Sequence, residues 1–184
     1  MVLVKHAMPN IDPAVPPSQW FLSERGHLAA DSLARQLVDI GLDLEFIESS
    51  TEPKALATAA IMANRLGVED VKASSGLIEH RRDTVGFLKR DEFEDGIAEL
   101  FRQPDSLVFG SETANQSLDR FSEAIAAVCP AAPDRLIVTH GTVITLYVSR
   151  LLGLDPLAFW RTLELPIAVV LGGGTYSLVG AREQ

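Results

Sequence analysis

A chain of 184 residues, 47% of them apolar, is long enough for one sizeable hydrophobic core and short for two, so a single domain over residues 1–184 is expected. The formal net charge of -9 and the lack of any Lys/Arg-rich run argue against a nucleic-acid or anionic-membrane surface, but not against an anionic substrate held by a few cations inside a pocket. A lone cysteine, Cys129, excludes an intramolecular disulfide and a cysteine-rich zinc site; with no apolar run near the roughly 18 residues of a membrane span and no signal-peptide pattern, a soluble, cytoplasmic protein is expected.

Val2 to Val4 is a short apolar, β-branched run that stops at Lys5-His6, and Pro9, Pro13, Pro16 and Pro17 make the next stretch a loop. From Ser23, Leu33, Leu37 and Ile40 recur at helical spacing with Ala30 and Ala34 beside them, until Gly41 stops the pattern. Leu44 to Glu48 reads as a second strand. Ser49-Ser50-Thr51 then supplies cap residues, and Pro53 suits the first turn of a helix running to about Leu66, which carries Lys54. Val68 to Ala73 suggests a third strand, followed by a polar connection from Ser74 to Arg90 suited to lining a site.

Helical spacing returns over Asp91 to Arg102 and over Ser111 to Val128, the second through Leu118, Phe121, Ile125 and Val128. Leu136 to Thr139 is another apolar strand, ending at His140-Gly141, and Thr142 to Leu152 continues as a helix. Ile167 to Leu171 and Thr175 to Val179 read as an antiparallel pair whose Gly172-Gly173-Gly174 connection is a turn, resembling a phosphate loop only in composition. Strands alternating with helices imply a three-layer α/β/α fold with a mostly parallel mixed sheet.

In open α/β sheets, ligand sites gather beyond the carboxyl ends of the strands, where helix N-termini point backbone N–H groups outward. Three expected strand ends carry suitable residues: Lys5-His6, Ser49-Ser50 leading to Lys54, and His140-Gly141-Thr142. Two imidazoles, two ammonium groups and helix N-termini at one sheet edge suit a phosphate. No His-Glu-x-x-His or clustered Asp/His spacing calls for a metal, and no cofactor is expected.

Leu3-Val4-Lys5-His6-Ala7 resembles the Arg-His-Gly motif that opens histidine phosphatases, the phosphoglycerate-mutase-like proteins. Ser49 to Ala59 is similar to that family's Ser-Ser-Pro-x-x-Arg-Ala-x-Gln-Thr-Ala stretch, and Trp20 to Gly26 to its Leu-Ser/Thr-x-x-Gly helix entry. Leu77-Ile78-Glu79 resembles the segment bearing the family's acid, Gly110-Ser111-Glu112-Thr113 its Gly-Glu-Ser/Thr element, and Val138 to Gly141 its second histidine motif. Each motif alone is weak; in order and in register over residues 2 to 150 they are specific. The resemblance implies a phosphoglycerate-mutase-like fold and hydrolysis of a small phosphorylated metabolite. It assigns His6 as phosphoryl acceptor, Glu79 as proton donor and His140 as phosphate ligand. For the first step Glu79 must be protonated.

Two departures fall on the phosphate clamp, where Lys5 and Lys54 stand in place of arginines. Charge is kept, but the planar guanidinium fork is lost. Arg81 or Arg82 is a candidate replacement guanidinium, and Asn10 a substitute donor where Pro9 replaces a threonine common in relatives. His80 neighbours Glu79, whereas His27 is expected at the surface and Glu112 suits a helix first turn. The competing readings are a phosphate-exchanging mutase, for which the chain is short, and a phospho-ligand binding protein with little turnover. A phosphoprotein substrate and a homodimer both stay open.

Overall fold

The central strands are β1 (Val2–Lys5) and β4 (Arg135–Thr139), and both are nearly continuous apolar runs because helices cover both their faces. The structure, a computed structural model, describes residues 1–42, 44–127 and 135–180. Six strands form one mixed sheet: β1, β4, β2 (Phe46–Ser50) and β3 (Val71–Ser74) run parallel, β5 (Ile167–Gly172) runs antiparallel to β1, and β6 (Thr175–Gly180) runs antiparallel to β5. The spatial order is β3-β2-β4-β1-β5-β6.

The twofold alternation of strand side chains divides the core in two. Val2, Val4, Leu136 and Val138 face α1 (Glu24–Asp39) and α2 (Pro53–Leu66), where Leu33, Leu37 and Met62 are fully or almost fully buried. Leu3 and Ile137 face the other way, toward α4 (Ala114–Ala127), α5 (Gly141–Leu152) and the short α6 (Pro156–Trp160), packing with Phe121, Ile144 and Phe159. A satellite cluster of Ile97, Leu100, Leu118 and Leu146 fastens α3 (Arg90–Arg102) to this second layer. Each such side chain contributes about 1.5–3 kcal/mol on burial. The expected α/β/α architecture and mostly parallel sheet are therefore found.

Several boundaries differ from those expected of the sequence, each for a local reason. The second strand begins at Phe46 and includes Ser49 and Ser50, because pairing with β3 and β4 holds these polar residues in extended backbone. The helix expected from Ser111 starts at Ala114: Thr113 Oγ1 accepts from the Gln116 N–H (3.1 Å) while the Gln116 side chain accepts from the Thr113 N–H (2.9 Å), a reciprocal cap. Its expected end at Val128, and Cys129, lie outside the described residues. Helix α6 has no counterpart among the expected elements, since five residues carry too little periodicity; Asp155 caps it through the Ala158 N–H at 2.6 Å. The connection over 74–90 contains two single 3-10 turns. Gly173 and Gly174, with φ of +60° and +75°, form the tight turn between β5 and β6, so the glycine run is a hairpin. Among the described residues no helix is long and apolar enough to cross a membrane.

Candidate active site

Because β1 and β4 are adjacent and parallel with Lys5 opposite Thr139, the residues that follow them emerge side by side at the carboxyl edge. His6 donates its backbone N–H to the Thr139 carbonyl (2.9 Å), and its ring meets that of His140 edge to face, centroids 5.0 Å apart. The chain beyond His6 is then pinned from both sides. Ala7 N–H donates to Thr58 Oγ1 on α2 (3.1 Å), and the Met8 carbonyl accepts from both the N–H and the hydroxyl of Ser23, at 3.0 and 2.8 Å. Gly26 lies so close that a Cβ there would sit 2.2 Å from the same carbonyl oxygen, which accounts for a glycine three residues after the capping serine.

His6 Nδ1 lies 2.7 Å from the Ala7 carbonyl oxygen. A carbonyl can only accept, so Nδ1 carries the proton and Nε2 is left with its lone pair. Burial, reinforced by His140 and Lys54, holds the imidazole well below the usual histidine range, so the ring is neutral at physiological pH. His140 is also buried; burial and then Lys54 pull it down to about 3 against the opposing effect of Glu79. Its Nε2 shares a 2.8 Å hydrogen bond with Ser50 Oγ, and its Nδ1 has no partner among the described residues.

Glu79 follows β3 and the 3-10 turn, and its carboxylate is held by two backbone donors. Oε2 accepts from the Thr142 N–H at the start of α5 (3.1 Å) and Oε1 from the His80 N–H (2.9 Å). Behind it, Arg120 on α4 donates to the carbonyls of Gly76, Ile78 and Glu79 and pairs with Glu112 at 2.6 Å. Glu112 accepts the Arg81 N–H in turn (3.0 Å). Burial alone would raise Glu112, but the hydrogen bonds from Arg120 and Arg81 outweigh it and hold this carboxyl below its ordinary value.

The cations are already engaged by the protein itself. Lys5 shares with Leu3 the α5 face of the sheet, where Nζ donates to the Leu163 carbonyl (2.5 Å); burial pulls it down to about 8, against the effects of Glu79 and Glu164. Lys54 is buried, donates to the Pro17 carbonyl (2.7 Å) and pairs with Glu52. Arg82 is partly buried, its guanidinium carbon 4.5 Å from the Phe93 ring centre; burial lowers it below its ordinary value, against the opposing effects of Glu79, Glu52 and Asp83.

One family model, that of the histidine phosphatase superfamily (branch 1), matches residues 15–170. The chain belongs to that superfamily. It is a phosphatase of the histidine phosphatase type, although His6 itself precedes the matched residues. Curated protein sequences yield no match. Among solved structures, a mycobacterial glucosyl-3-phosphoglycerate phosphatase superposes with a TM-score of 0.72 at 20% identity, over 98% of this chain and 96% of that one. A phosphoserine phosphatase from Entamoeba histolytica, in complex with 3-phosphoglyceric acid, gives 0.69 at 18% identity over 99% and 96%. A putative alpha-ribazole-5'-P phosphatase from Escherichia coli gives 0.68 at 18% identity over 99% and 98%. These likenesses establish the histidine phosphatase fold.

Within that fold, His6, His140, Glu79, Lys5, Lys54 and Thr142 gather around one sheet edge, whereas the other candidates from the sequence fall elsewhere, for reasons visible in their contacts. Arg81 is exposed and lies 3.9 Å from Glu112, whereas the partly buried Arg82 feels the charges of Glu79 and Glu52. Asn10 is exposed, and among the described residues its side chain makes no hydrogen bond to the cluster. The His80 ring turns away, its Nε2 donating to the Glu112 carbonyl (2.8 Å) and its face packing near Phe109. His27 is exposed, as expected. Sequence reasoning placed Ser50 at a strand end of the site and Glu52 and Thr58 only inside a motif, without a role, and it missed Arg120. Glu52 carried a signal, an acid two residues before Lys54 inside a recognised motif, but the sequence could not show that it turns onto that lysine.

Proposed function

We propose that this single domain is a metal-independent phosphomonoester hydrolase that works through a phosphohistidine on His6. The observation that carries the reading is the His6 tautomer: Nδ1 bonded to the Ala7 carbonyl and a neutral ring leave Nε2 as a nucleophile. Phosphoryl transfer passes through a loose transition state, so positioned charges and donors carry most of the catalysis.

His6 Nε2 attacks phosphorus in line, the P–O bond to the leaving group breaks, and a protonated Glu79 delivers its proton to the departing oxygen. Water then attacks the phosphohistidine, the N–P bond breaks, and the Glu79 carboxylate takes the proton from that water. His140, Lys54, Lys5 and Arg82 surround the phosphoryl group and offset its charge, and the Thr142 N–H at the start of α5 orients Glu79. A small phosphorylated metabolite is the substrate class, a reading supported by the phosphatases that share the fold.

Phosphate release from a panel of phosphorylated metabolites in EDTA, wild type against His6→Ala, tests this. Release that survives EDTA and vanishes in the variant supports the hydrolase. Phosphate exchange between substrates without net release would favour a mutase. The engagement of Lys5 by Leu163 and of Lys54 by Glu52 favours a second reading, a phospho-ligand binding protein with little turnover. Vanadate binding without hydrolysis of any substrate would select it.

A further inference from the structure

Glu52 stands at the N-cap of α2, a position where a short acceptor side chain ordinarily bonds the first helical N–H groups, yet its side chain makes no such bond to the helix. Its carboxylate turns instead into the cluster. Oε2 pairs with Lys54 Nζ, while Oε1 accepts the Glu79 N–H at 2.9 Å and lies 3.4 Å from His140 Nε2. An ammonium, a backbone N–H and an imidazole nitrogen converging on one anion make an anion-binding site, and the anion in it belongs to the protein. The residue is 6% exposed, so water screens these charges little.

We infer that Glu52 is the resident anion of the phosphate site, an internal competitor that a substrate phosphate must displace from Lys54, and so the residue that sets phosphate affinity and selects among anions. The inference rests on the reading of this pocket as a phosphate site. A carboxylate ligand would exchange one singly charged group for another and gain little. A phosphomonoester dianion brings twice the charge and three oxygens to the same donors, and a phosphodiester monoanion falls between. Binding is thereby weakened for every anion and kept favourable for monoesters. With Glu52 in place the net cationic charge facing a ligand is smaller than Lys5, Lys54 and Arg82 suggest, because Glu52 and Glu79 lie among them.

The test is calorimetric titration of inorganic phosphate into wild type, Glu52→Gln and Glu52→Asp at pH 7. Glu52→Gln is expected to bind phosphate at least about tenfold more tightly than wild type, with the preference for phosphate over acetate reduced. A partner needed only to hold Lys54 would give the opposite sign, so equal or weaker binding by folded Glu52→Gln overturns the inference. Should the unpaired Lys54 prevent that variant from folding, Glu52→Asp, which keeps the charge and shortens its reach to Lys54, answers the question. Tighter phosphate binding by Glu52→Asp supports the competitor role, and equal or weaker binding overturns it. If no protein in the series, wild type included, binds phosphate, the phosphate-site reading itself falls and the inference with it. Measurable wild-type binding that Glu52→Gln leaves unchanged removes only the role of Glu52.

Discussion

His6 and His140 meet edge to face with ring planes 64° apart, and both rings are buried and neutral. The pairing places a free nitrogen lone pair beside a second imidazole without two like charges in contact, and it links folding to pH.

Both imidazoles have folded values below the ordinary 6.5, so below that pH the unfolded chain binds protons that the folded chain refuses. The contribution of these two residues is therefore full well above pH 6.5 and falls as the pH drops. For His140 the slope is about 1.4 kcal/mol per pH unit and persists toward its folded value of about 3. Urea unfolding at pH 7 and pH 5 is expected to show a loss of about 2 kcal/mol from this residue alone, seen as a shallower pH dependence in His140→Gln. Identical pH dependence in the two proteins would mean that the folded site holds a protonated imidazole.

Lys5 loses its charge through about pH 8. If its ammonium helps to hold the phosphoryl group, kcat/KM for a phosphomonoester falls above that pH, in a range where the ester is already a dianion. Lys5→Met is expected to be about 10- to 100-fold slower at pH 7, the cost of a lost alignment, and to lack the alkaline fall. An alkaline limb that persists in the variant would assign it to another group.

Glu79→Gln keeps the shape of the side chain and removes the proton to be transferred. Loss of a general acid costs about 10²- to 10⁴-fold. The loss should be largest for alkyl phosphates, whose leaving oxygen needs a proton, and smallest for p-nitrophenyl phosphate, whose leaving group departs as a stable anion. Rapid-quench measurement of the first turnover compares the two directly. An equal loss for both esters would assign Glu79 to orientation only.

Arg120 joins Gly76, Ile78, Glu79 and Glu112 in one network, and Glu112 is 5% exposed. Arg120→Met leaves that carboxylate buried without its main cation, at an expected cost of about 3–5 kcal/mol. Adding Glu112→Gln should restore much of the stability, since no lone charge remains, while turnover stays low because the Glu79 segment has lost its anchor. Thermal unfolding and kcat of the single and double variants give the two readouts, and additive losses in stability would refute the coupling.

The strands and helices were legible where burial imposes a period: the apolar runs of β1 and β4, the three- and four-residue spacing of α1 and α4, and the breaks at Gly41 and between β5 and β6. Local hydropathy could not show that Ser49 and Ser50 extend β2, because what holds them there is hydrogen bonding to strands distant in sequence. Nor could it reveal α6, whose five residues are shorter than two helical turns.

For the site, residue identity and motif order determined which side chains could do phosphoryl chemistry: His6, His140, Glu79 and the two lysines. Tertiary structure decided how those groups are engaged. The register of β1 against β4 sets the two imidazoles in contact and turns Lys5 toward Leu163. The path of residues 79–82 leaves Arg81 exposed and packs Arg82 against Phe93, and Arg120 reaches back from α4 to anchor that path. A residue's charge is written in the sequence, but its partner is chosen by packing, and in a buried site the partner decides whether that charge is free to meet a ligand. Lys54 makes the point: the sequence supplies the cation, and only the folded chain shows Glu52 already bound to it.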